Sequence, residues 1–236
     1  MQLKDQNVVI VGGSSGIGLA TAHLVQSEGA YVTITGRSQD KLRWVANELG
    51  DVKTAVVDIA KEADIRQLFT SCDRIDHLVI LGASLASGTI RDAPLEDLGR
   101  PITERIWGAI HAIRHAIPKM TGGSITLTSG LFSSRPVSGM AVVAAAVGGI
   151  ESMTRALALE LTPIRINAIA PGYIDTPLLK AAFSDQYDGV VKAQAATLPT
   201  QRIGTAEETA RAIIFLMTSG FITGEILHID GGGRLI

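Results

Sequence analysis

The stretch NVVIVGGSSGIG, residues 7–18, decides the fold. Its first five residues form a short, mainly β-branched apolar run, which is typical of a buried β-strand. The glycines that follow permit a tight turn, and an amphipathic helical pattern begins directly after them. Free N–H groups at the start of such a helix attract a phosphate group. A strand, a glycine-rich turn and a helix in this order indicate a nucleotide-binding α/β unit.

Six further apolar runs follow the first one, and helical patterns separate them. The strands are predicted at 7–11, 31–35, 53–57, 77–81, 124–128, 164–170 and 225–229, and the helices at 16–28, 38–49, 61–71, 101–119, 141–161 and 205–217. Strands that are apolar on both faces and joined by helices form parallel sheets covered on both sides. We therefore predict a doubly wound α/β Rossmann fold with a single parallel sheet of about seven strands.

The chain of 236 residues is predicted to form one domain over 1–236, because single α/β domains often reach this size. The sequence contains no repeat and no low-complexity linker that would mark a boundary. Residues 176–204 form a segment that is longer than most connections in α/β folds. We interpret this segment as a substrate lid or insertion, with an additional surface helix as the alternative.

The composition excludes several classes of partner. Twenty-one basic and 23 acidic residues give a net charge of −2, so the chain has no basic field for nucleic acid or an anionic membrane. The one cysteine, Cys72, cannot form an internal disulfide, and the sequence shows no Cys/His cluster for a metal. The start MQLKDQNVVIVGG lacks the features of a signal peptide. The sequence also contains no uninterrupted run of about 18 apolar residues, the length of a membrane-spanning helix. We expect a soluble cytoplasmic protein.

The spacing Gly12-x₃-Gly16-x-Gly18 resembles that of the short-chain dehydrogenase/reductase family, although Val11 stands where the family has a Thr. Further segments resemble the family in chain order. They are Asp58-Ile59, Asp76-His77-Leu78-Val79, GSITLTS at 123–129, RINAIAPG at 165–172, Thr223-Gly224-Glu225 and Asp230-Gly231-Gly232. The resemblance covers nearly the whole chain, and it implies hydride transfer between a nicotinamide cofactor and a carbonyl/alcohol pair.

The same resemblance implies where the cofactor binds. The segments concerned are the glycine-rich turn, the ends of the second, third and fourth strands, and the turn after the sixth strand. The implied cofactor-binding residues are Gly12, Ser14, Ser15, Gly16, Ile17, Gly18, Arg37, Ser38, Asp58, Ile59, Gly82, Ala83, Pro171, Gly172, Ile174 and Thr176.

The end of the second strand, Thr35-Gly36-Arg37-Ser38, favours NADP(H) as the cofactor. An NAD enzyme needs a carboxylate here for the ribose hydroxyls, whereas an NADP enzyme needs a cation for the 2′-phosphate. Gly36 stands at the position of the acid, and Arg37 can bind a phosphate with both arms of its guanidinium, with Ser14 and Ser38 nearby. The alternative for Arg37 is a solvated surface cation.

The catalytic residues of the family are only partly present. Members use a Tyr, a Lys four residues later, a Ser and an Asn; the Ser corresponds to Ser129 and the Asn position holds Arg105. The Tyr and Lys positions hold Val143 and Val147, which lie on one face of a helix. Two coordinated changes to valine leave a consistent apolar wall and favour an altered site, with genetic drift or an introduced mutation as the alternative. No lysine follows four residues after Tyr31, Tyr173 or Tyr187.

Several side chains are candidates for handling the substrate oxygen. Ser129 closes a matched strand, and the guanidinium of Arg105 can stabilise a developing alkoxide unless it forms a surface or interhelix ion pair. Tyr173 is a candidate proton donor from the opposite wall, with packing as its alternative role. His111 and His115 are predicted to be helix-face residues, and the segment 133–136 is predicted to border the mouth of the site.

The leading hypothesis is therefore an NADP(H)-dependent oxidoreductase for a small-molecule carbonyl/alcohol substrate, with an atypical catalytic site. One alternative is an NADP(H)-binding pseudoenzyme that acts as a redox sensor or partner subunit. Another is non-redox chemistry on the same fold. The resemblance also implies a homodimer or homotetramer, in which the helices matching 101–119 and 141–161 pair between subunits.

Overall fold

A seven-stranded parallel sheet forms the centre of the protein in a computed structural model that describes residues 2–82, 84–85 and 88–236. The strand order is β3-β2-β1-β4-β5-β6-β9. A separate two-stranded sheet pairs β7 with β8. The strands are β1 Asn7–Val11, β2 Tyr31–Gly36, β3 Val52–Val56, β4 His77–Ile80, β5 Ser124–Thr128, β6 Arg165–Pro171, β7 Ile174–Asp175, β8 Gly204–Thr205 and β9 Ile226–Ile229. The predicted doubly wound Rossmann sheet is confirmed.

Helices cover both faces of the sheet. They are α1 Gly16–Ser27, α2 Gln39–Leu49, α3 Glu62–Thr70, α4 Leu95–Pro101, α5 Gly108–Ala116, α6 Ala141–Glu160, α7 Pro177–Phe183, α8 Tyr187–Thr197 and α9 Ala206–Thr218. A π-helical turn, Ile102–Trp107, joins α4 to α5. Short 3₁₀ turns are formed by Ile117–Lys119, Leu131–Ser133, Ser184–Gln186 and Gly233–Leu235.

Alternate residues of β1 belong to two different cores. Val9 and Val11 pack with α3 and α5 on one face, whereas Val8 and Ile10 pack with α1, α2 and α9 on the other. Side chains of a strand alternate between faces, so a strand buried on both must be apolar throughout. The continuous apolar runs of the sequence have this physical cause.

Helix α6 is, within the described chain, long and apolar enough to cross a membrane by length and composition. In this structure it lies against β6 instead, and its buried residues are Val143, Ala146, Val147, Ile150 and Thr154. Its core-facing side therefore belongs to the globular fold.

Two regions differ from the predicted elements. The helix predicted over 101–119 begins earlier, at Leu95, and passes through Pro101 into the π-helical turn. A proline commonly stands at the start of a helix, and Gly99 weakens the helical pattern before Pro101. The start of this helix was therefore predicted too late in the chain. Residues 176–204, interpreted from the sequence as a lid or insertion with one additional surface helix as the alternative, contain two helices, α7 and α8, and the β7–β8 pair closes the base of this segment.

Candidate active site

A cavity of about 470 Å³ opens at the carboxyl ends of β1, β2, β5 and β6. The strand order reverses between β1 and β4, and open α/β sheets bind their ligands at this kind of reversal. A volume of this size suits a small organic ligand. The cavity is therefore the candidate active site.

Most of the implied cofactor residues lie in the cavity wall. The lining includes Gly12, Ser14, Ser15, Gly16, Ile17, Gly18, Arg37, Asp58, Ile59, Gly82, Pro171, Gly172, Ile174 and Thr176. Ser38 is not among the described lining residues, because its hydroxyl instead caps α2 by accepting the Lys41 N–H at 3.3 Å. Ala83 lies outside the residues that the structure describes.

The glycine-rich turn has the shape that a bound phosphate group requires. Gly12 has a φ of +93°, and a Cβ added there would lie 2.7 Å from the backbone nitrogen of Gly82. A Cβ at Gly18 would lie 2.1 Å from the carbonyl oxygen of Gly12. The absence of both side chains brings the turn close to the start of α1, where N–H groups and the helix dipole favour an anion. The turn thus fits the phosphates of a dinucleotide.

Two cations lie near the end of β2. Arg37 has a largely exposed side chain that lines the cavity, and Lys41, in the first turn of α2, lines it as well. A Cβ at Gly36 would lie 2.6 Å from Ser14 Oγ, so an acidic residue at this position would require Ser14 to move. Lys41 was missed in the sequence, although it follows Arg37 closely and lies in the first turn of the predicted helix 38–49.

Glu104 and Arg105 hold Ser84 from two sides. Oε2 of Glu104 accepts hydrogen bonds from the Ser84 backbone N–H at 2.5 Å and from its hydroxyl at 2.7 Å. Arg105 Nη1 donates to the Ser84 carbonyl oxygen at 2.9 Å. Both side chains line the cavity, as expected for Arg105, whereas Glu104 was missed. Burial lowers the pKa of Arg105, and the charge of Glu104 opposes this effect.

Ser129 forms a polar cluster with two residues that lie outside its strand. Its hydroxyl donates to Glu151 Oε1 at 2.8 Å, and the Ser133 hydroxyl donates to the same oxygen at 2.5 Å. Glu151 Oε2 lies 3.8 Å from Arg155 Nη2. Glu151 was also missed, although it follows Val147 by four residues and so continues the helix face of Val143 and Val147.

The two valines form an apolar part of the wall. Val143 and Val147 are each 2% exposed, and both line the cavity next to Ser129. The Ser129 hydroxyl also lies 3.3 Å from the carbonyl oxygen of Val147. The side of α6 that faces the cavity is therefore apolar at these two positions, and Glu151 lies behind Ser129, outside the described lining.

Tyr173 lies in the cavity wall and is half-buried. Burial raises the pKa of its hydroxyl, and the positive charge of Arg135 opposes the effect. Arg135 itself donates to the carbonyl oxygen of Gly233 at 2.9 Å. The phenol therefore keeps its proton at neutral pH.

The two histidines of α5 do not contribute to the described lining of the cavity. The ring of His111 lies 5.9 Å from that of Trp107, and His115 Nε2 lies 3.2 Å from Glu62 Oε1. Both are helix-face residues, as predicted.

Comparison with known proteins identifies the class. The family model described as enoyl-(acyl carrier protein) reductase matches residues 11–233. The chain is 32% identical over 242 residues to the 3-oxoacyl-[acyl-carrier-protein] reductase of Rattus norvegicus, covering 98% of this chain and 99% of that relative. The chain belongs to the short-chain dehydrogenase/reductase family, whose members are oxidoreductases that use nicotinamide cofactors.

Solved structures agree with this assignment. The MalC reductase/Diels-Alderase from Malbranchea aurantiaca superposes with a TM-score of 0.93 at 29% identity, covering 100% of this chain and 98% of that one. A small-chain dehydrogenase in complex with NADPH superposes with a TM-score of 0.86 at 31% identity, covering 99% of this chain and 100% of that one.

Proposed function

We propose that this protein is an NADP(H)-dependent oxidoreductase that interconverts a small carbonyl compound and its alcohol through an altered catalytic site. One observation carries the proposal: a single cavity joins the glycine-rich turn, the cations at the end of β2 and the Ser129 hydroxyl. A dinucleotide and a small substrate can therefore meet within one site.

Arg37 and Lys41 would hold the 2′-phosphate of NADP(H), and the N-terminal end of α1 would hold the pyrophosphate. The relative solved with NADPH supports this choice of cofactor. When bound, the reduced cofactor supplies a hydride to the carbonyl carbon, and the oxidised cofactor accepts one from the alcohol.

Ser129 and Arg105 would handle the substrate oxygen. During alcohol oxidation the substrate O–H bond breaks, its electron pair forms the second C–O bond, and its proton passes to Ser129 Oγ. Ser129 at the same time gives its own proton to Glu151 Oε1, along the existing hydrogen bond of 2.8 Å. The Glu151 side chain is 16% exposed, so it can release this proton to water. During reduction each proton moves in the opposite direction.

This route replaces the family pair of Tyr and Lys, whose positions we assign to Val143 and Val147. A positioned general acid or base contributes about 10²–10⁴-fold to a rate, whereas juxtaposition of two reactants contributes about 7–11 kcal/mol. Juxtaposition is the larger effect, so hydride transfer is compatible with the loss of the pair.

The segment 176–204 is proposed to act as a substrate lid on one domain that spans 1–236. A Cβ at Gly16 would lie 3.2 Å from Thr176 Cγ2, so the segment begins beside the glycine-rich turn. Asp175 anchors it by accepting a hydrogen bond from Tyr187 Oη at 2.7 Å and by pairing with Lys180 Nζ at 3.2 Å. Leu178 and Ala181 line the cavity, which supports contact with the substrate.

A cytoplasmic homodimer or homotetramer is also part of the proposal. The continuous helical run from α4 to α5 packs against α6, and Trp107 and Leu159 on these helices are exposed in the single chain. Pairing of these helices between subunits would cover such side chains. A sedimentation experiment in which the protein is a monomer would overturn the proposed oligomeric state.

The apolar wall of Val143 and Val147 favours a second candidate, a binding protein that senses the redox state of NADP(H) without turnover. The two candidates share the cofactor site and differ only in chemistry.

The deciding experiment measures NADPH binding by fluorescence and then NADPH consumption with a panel of aldehydes, ketones and 3-oxoacyl thioesters. Turnover that Ser129→Ala abolishes, with NADPH affinity retained, supports the oxidoreductase. Tight NADPH binding without turnover across the panel favours the binding protein. Product formation without net NADPH consumption indicates non-redox chemistry, and failure to bind NADPH overturns the proposed function.

A further inference from the structure

We propose that Glu104 sets the cofactor preference of this protein by competing with the 2′-phosphate for Arg37. The inference rests on the proposed function, because it concerns the same cofactor site. Its consequence is a smaller difference in affinity between NADPH and NADH than Arg37 alone would give.

The first support is the position of the carboxylate. Glu104 lines the cavity, its side chain is only 7% exposed, and Oε1 lies 3.9 Å from Arg37 Nη1. Oε2 is occupied by the two hydrogen bonds from Ser84, so the other oxygen is turned toward Arg37. The carboxylate is fixed, whereas the guanidinium is on a side chain that is 68% exposed.

The second support is electrostatic. A phosphate that binds Arg37 comes close to a buried negative charge, and like charges repel most strongly where little water separates them. Arg37 must also give up part of its interaction with Glu104. NADH has free ribose hydroxyls in place of the phosphate, so its binding involves neither this repulsion nor the loss of the Arg37–Glu104 interaction. A carboxylate is the group that usually accepts hydrogen bonds from these hydroxyls.

The third support is the local backbone. Glu104 lies in the π-helical turn Ile102–Trp107, and π-helical turns are rare and are found frequently at functional sites. Through this turn the neighbouring residues Glu104 and Arg105 both reach Ser84 and the cavity. The Glu104 carboxylate therefore interacts electrostatically with two cations, Arg37 and Arg105.

A purely structural role, in which Glu104 only holds Ser84, makes a different prediction. Glu104→Gln separates the two roles, because the amide oxygen of glutamine can still accept both hydrogen bonds from Ser84 while the charge is lost. A structural role predicts no selective change for ligands that carry the 2′-phosphate.

The experiment measures dissociation constants by calorimetry for NADPH, NADH, 2′,5′-ADP and 5′-AMP. In Glu104→Gln we expect NADPH and 2′,5′-ADP to bind about two- to fivefold more tightly, in keeping with an ion pair whose cation is exposed. NADH and 5′-AMP should bind no more tightly than before. The selective gain should shrink at high salt, because salt screens the charges. Glu96→Gln, an exposed position on α4, is the matched control and should leave all four constants unchanged.

The Arg37→Ala background tests the mechanism, since the selective gain from Glu104→Gln should fall below about twofold there. An undiminished gain would overturn competition for Arg37. If Glu104→Gln does not fold, Glu104→Asp is the second variant. Its side chain is shorter by one methylene, which moves the charge away from Arg37, and NADPH should bind more tightly than to wild type but by a smaller factor than expected for Glu104→Gln.

The failure of the proposed function and the failure of the role of Glu104 give different results. Wild-type protein that binds neither NADPH nor NADH overturns the proposed function itself. Wild-type protein that binds both, with the same ratio of affinities in Glu104→Gln, overturns only the role of Glu104.

Discussion

The Ser129 hydroxyl donates a hydrogen bond of 2.8 Å to Oε1 of Glu151, a residue of α6 that lies 22 residues further along the chain. The serine proton is thus directed at a carboxylate, and the serine oxygen is left with lone pairs for a proton from the substrate. This pair is the acid–base route that the proposed function uses in place of a tyrosine.

Glu151→Gln should lower the rate of alcohol oxidation by about 10²-fold or more, because the amide cannot take the proton from Ser129. The amide oxygen still accepts both serine hydrogen bonds, so KM should change little. Steady-state kinetics measures kcat and KM, with the exposed Glu160→Gln on the same helix as control. An unchanged kcat would contradict the relay.

Arg37→Ala should weaken NADPH binding about tenfold to a hundredfold, because a charge-assisted contact is worth about 1.5–3 kcal/mol. NADH lacks the 2′-phosphate and should bind as before. Fluorescence titration with both cofactors measures the difference. Equal weakening of both would show that Arg37 acts on the fold of the site and not on the phosphate.

Val143→Tyr combined with Val147→Lys should raise turnover by about 10²–10⁴-fold if these positions match the family pair, since the two side chains restore a general acid. Val147→Lys alone should destabilise the fold, because it places an ammonium at a position that is 2% exposed. Chemical denaturation and kinetics of both variants check the two effects. A folded double variant that binds NADPH but gains no turnover would refute the assignment.

Gly18→Ala should destabilise the fold by about 1–3 kcal/mol and weaken NADPH binding, because the new Cβ would lie 2.1 Å from the Gly12 carbonyl oxygen. Gly189→Ala in α8 is the matched control. A Cβ there meets no atom of the described residues within 4 Å, and the change should stabilise the helix by about 0.5–1 kcal/mol. Thermal unfolding and NADPH titration of both variants decide the matter. Similar effects from both would contradict the role given to the turn.

His77 predicts a specific dependence of stability on pH. Burial lowers its pKa from 6.5 to about 4, and the charge of Arg165 adds to the effect. Its Nδ1 and Nε2 lie 2.7 Å from Ser124 Oγ and 2.6 Å from Gln6 Oε1. The folded state therefore favours the neutral ring. Its contribution is complete above the unfolded pKa of 6.5 and is lost as the pH falls toward about 4.

The loss should be on the order of 3 kcal/mol, and His77→Gln should not show it. Urea unfolding at about pH 7 and about pH 4 compares the variant with the wild type and with His23→Gln, a partly exposed control. Equal pH dependence in wild type and His77→Gln would contradict the prediction.

The order of elements followed directly from the sequence. Residues 7–18 combine a strand that is buried on both faces, a turn that only glycine fits and a helix start, and each of these leaves a local pattern. The same is true of Val143 and Val147, whose spacing of four residues places them on one helix face. Local patterns therefore predicted the sheet and the apolar wall.

The polar contacts of the site could not be predicted in this way. Glu104 meets Arg37 across 67 residues of chain, and Glu151 meets Ser129 across 22. Such contacts depend on how two separate loops and helices are juxtaposed, and on a π-helical turn with no recognisable spacing in the sequence. The two-residue strands β7 and β8 were missed because so short a pair has no periodicity.

The β7–β8 pair has a consequence for how this protein can diversify. Ile174 pairs with Gly204 and Asp175 with Thr205, so the two ends of the intervening segment are fixed to each other. Helix α8 lies between these anchor points and contributes no residue to the described lining of the cavity, so changes in its sequence or length need not disturb the wall beside the glycine-rich turn. Under the proposed function, this part of the lid could change while the cofactor-binding wall of the cavity keeps its shape.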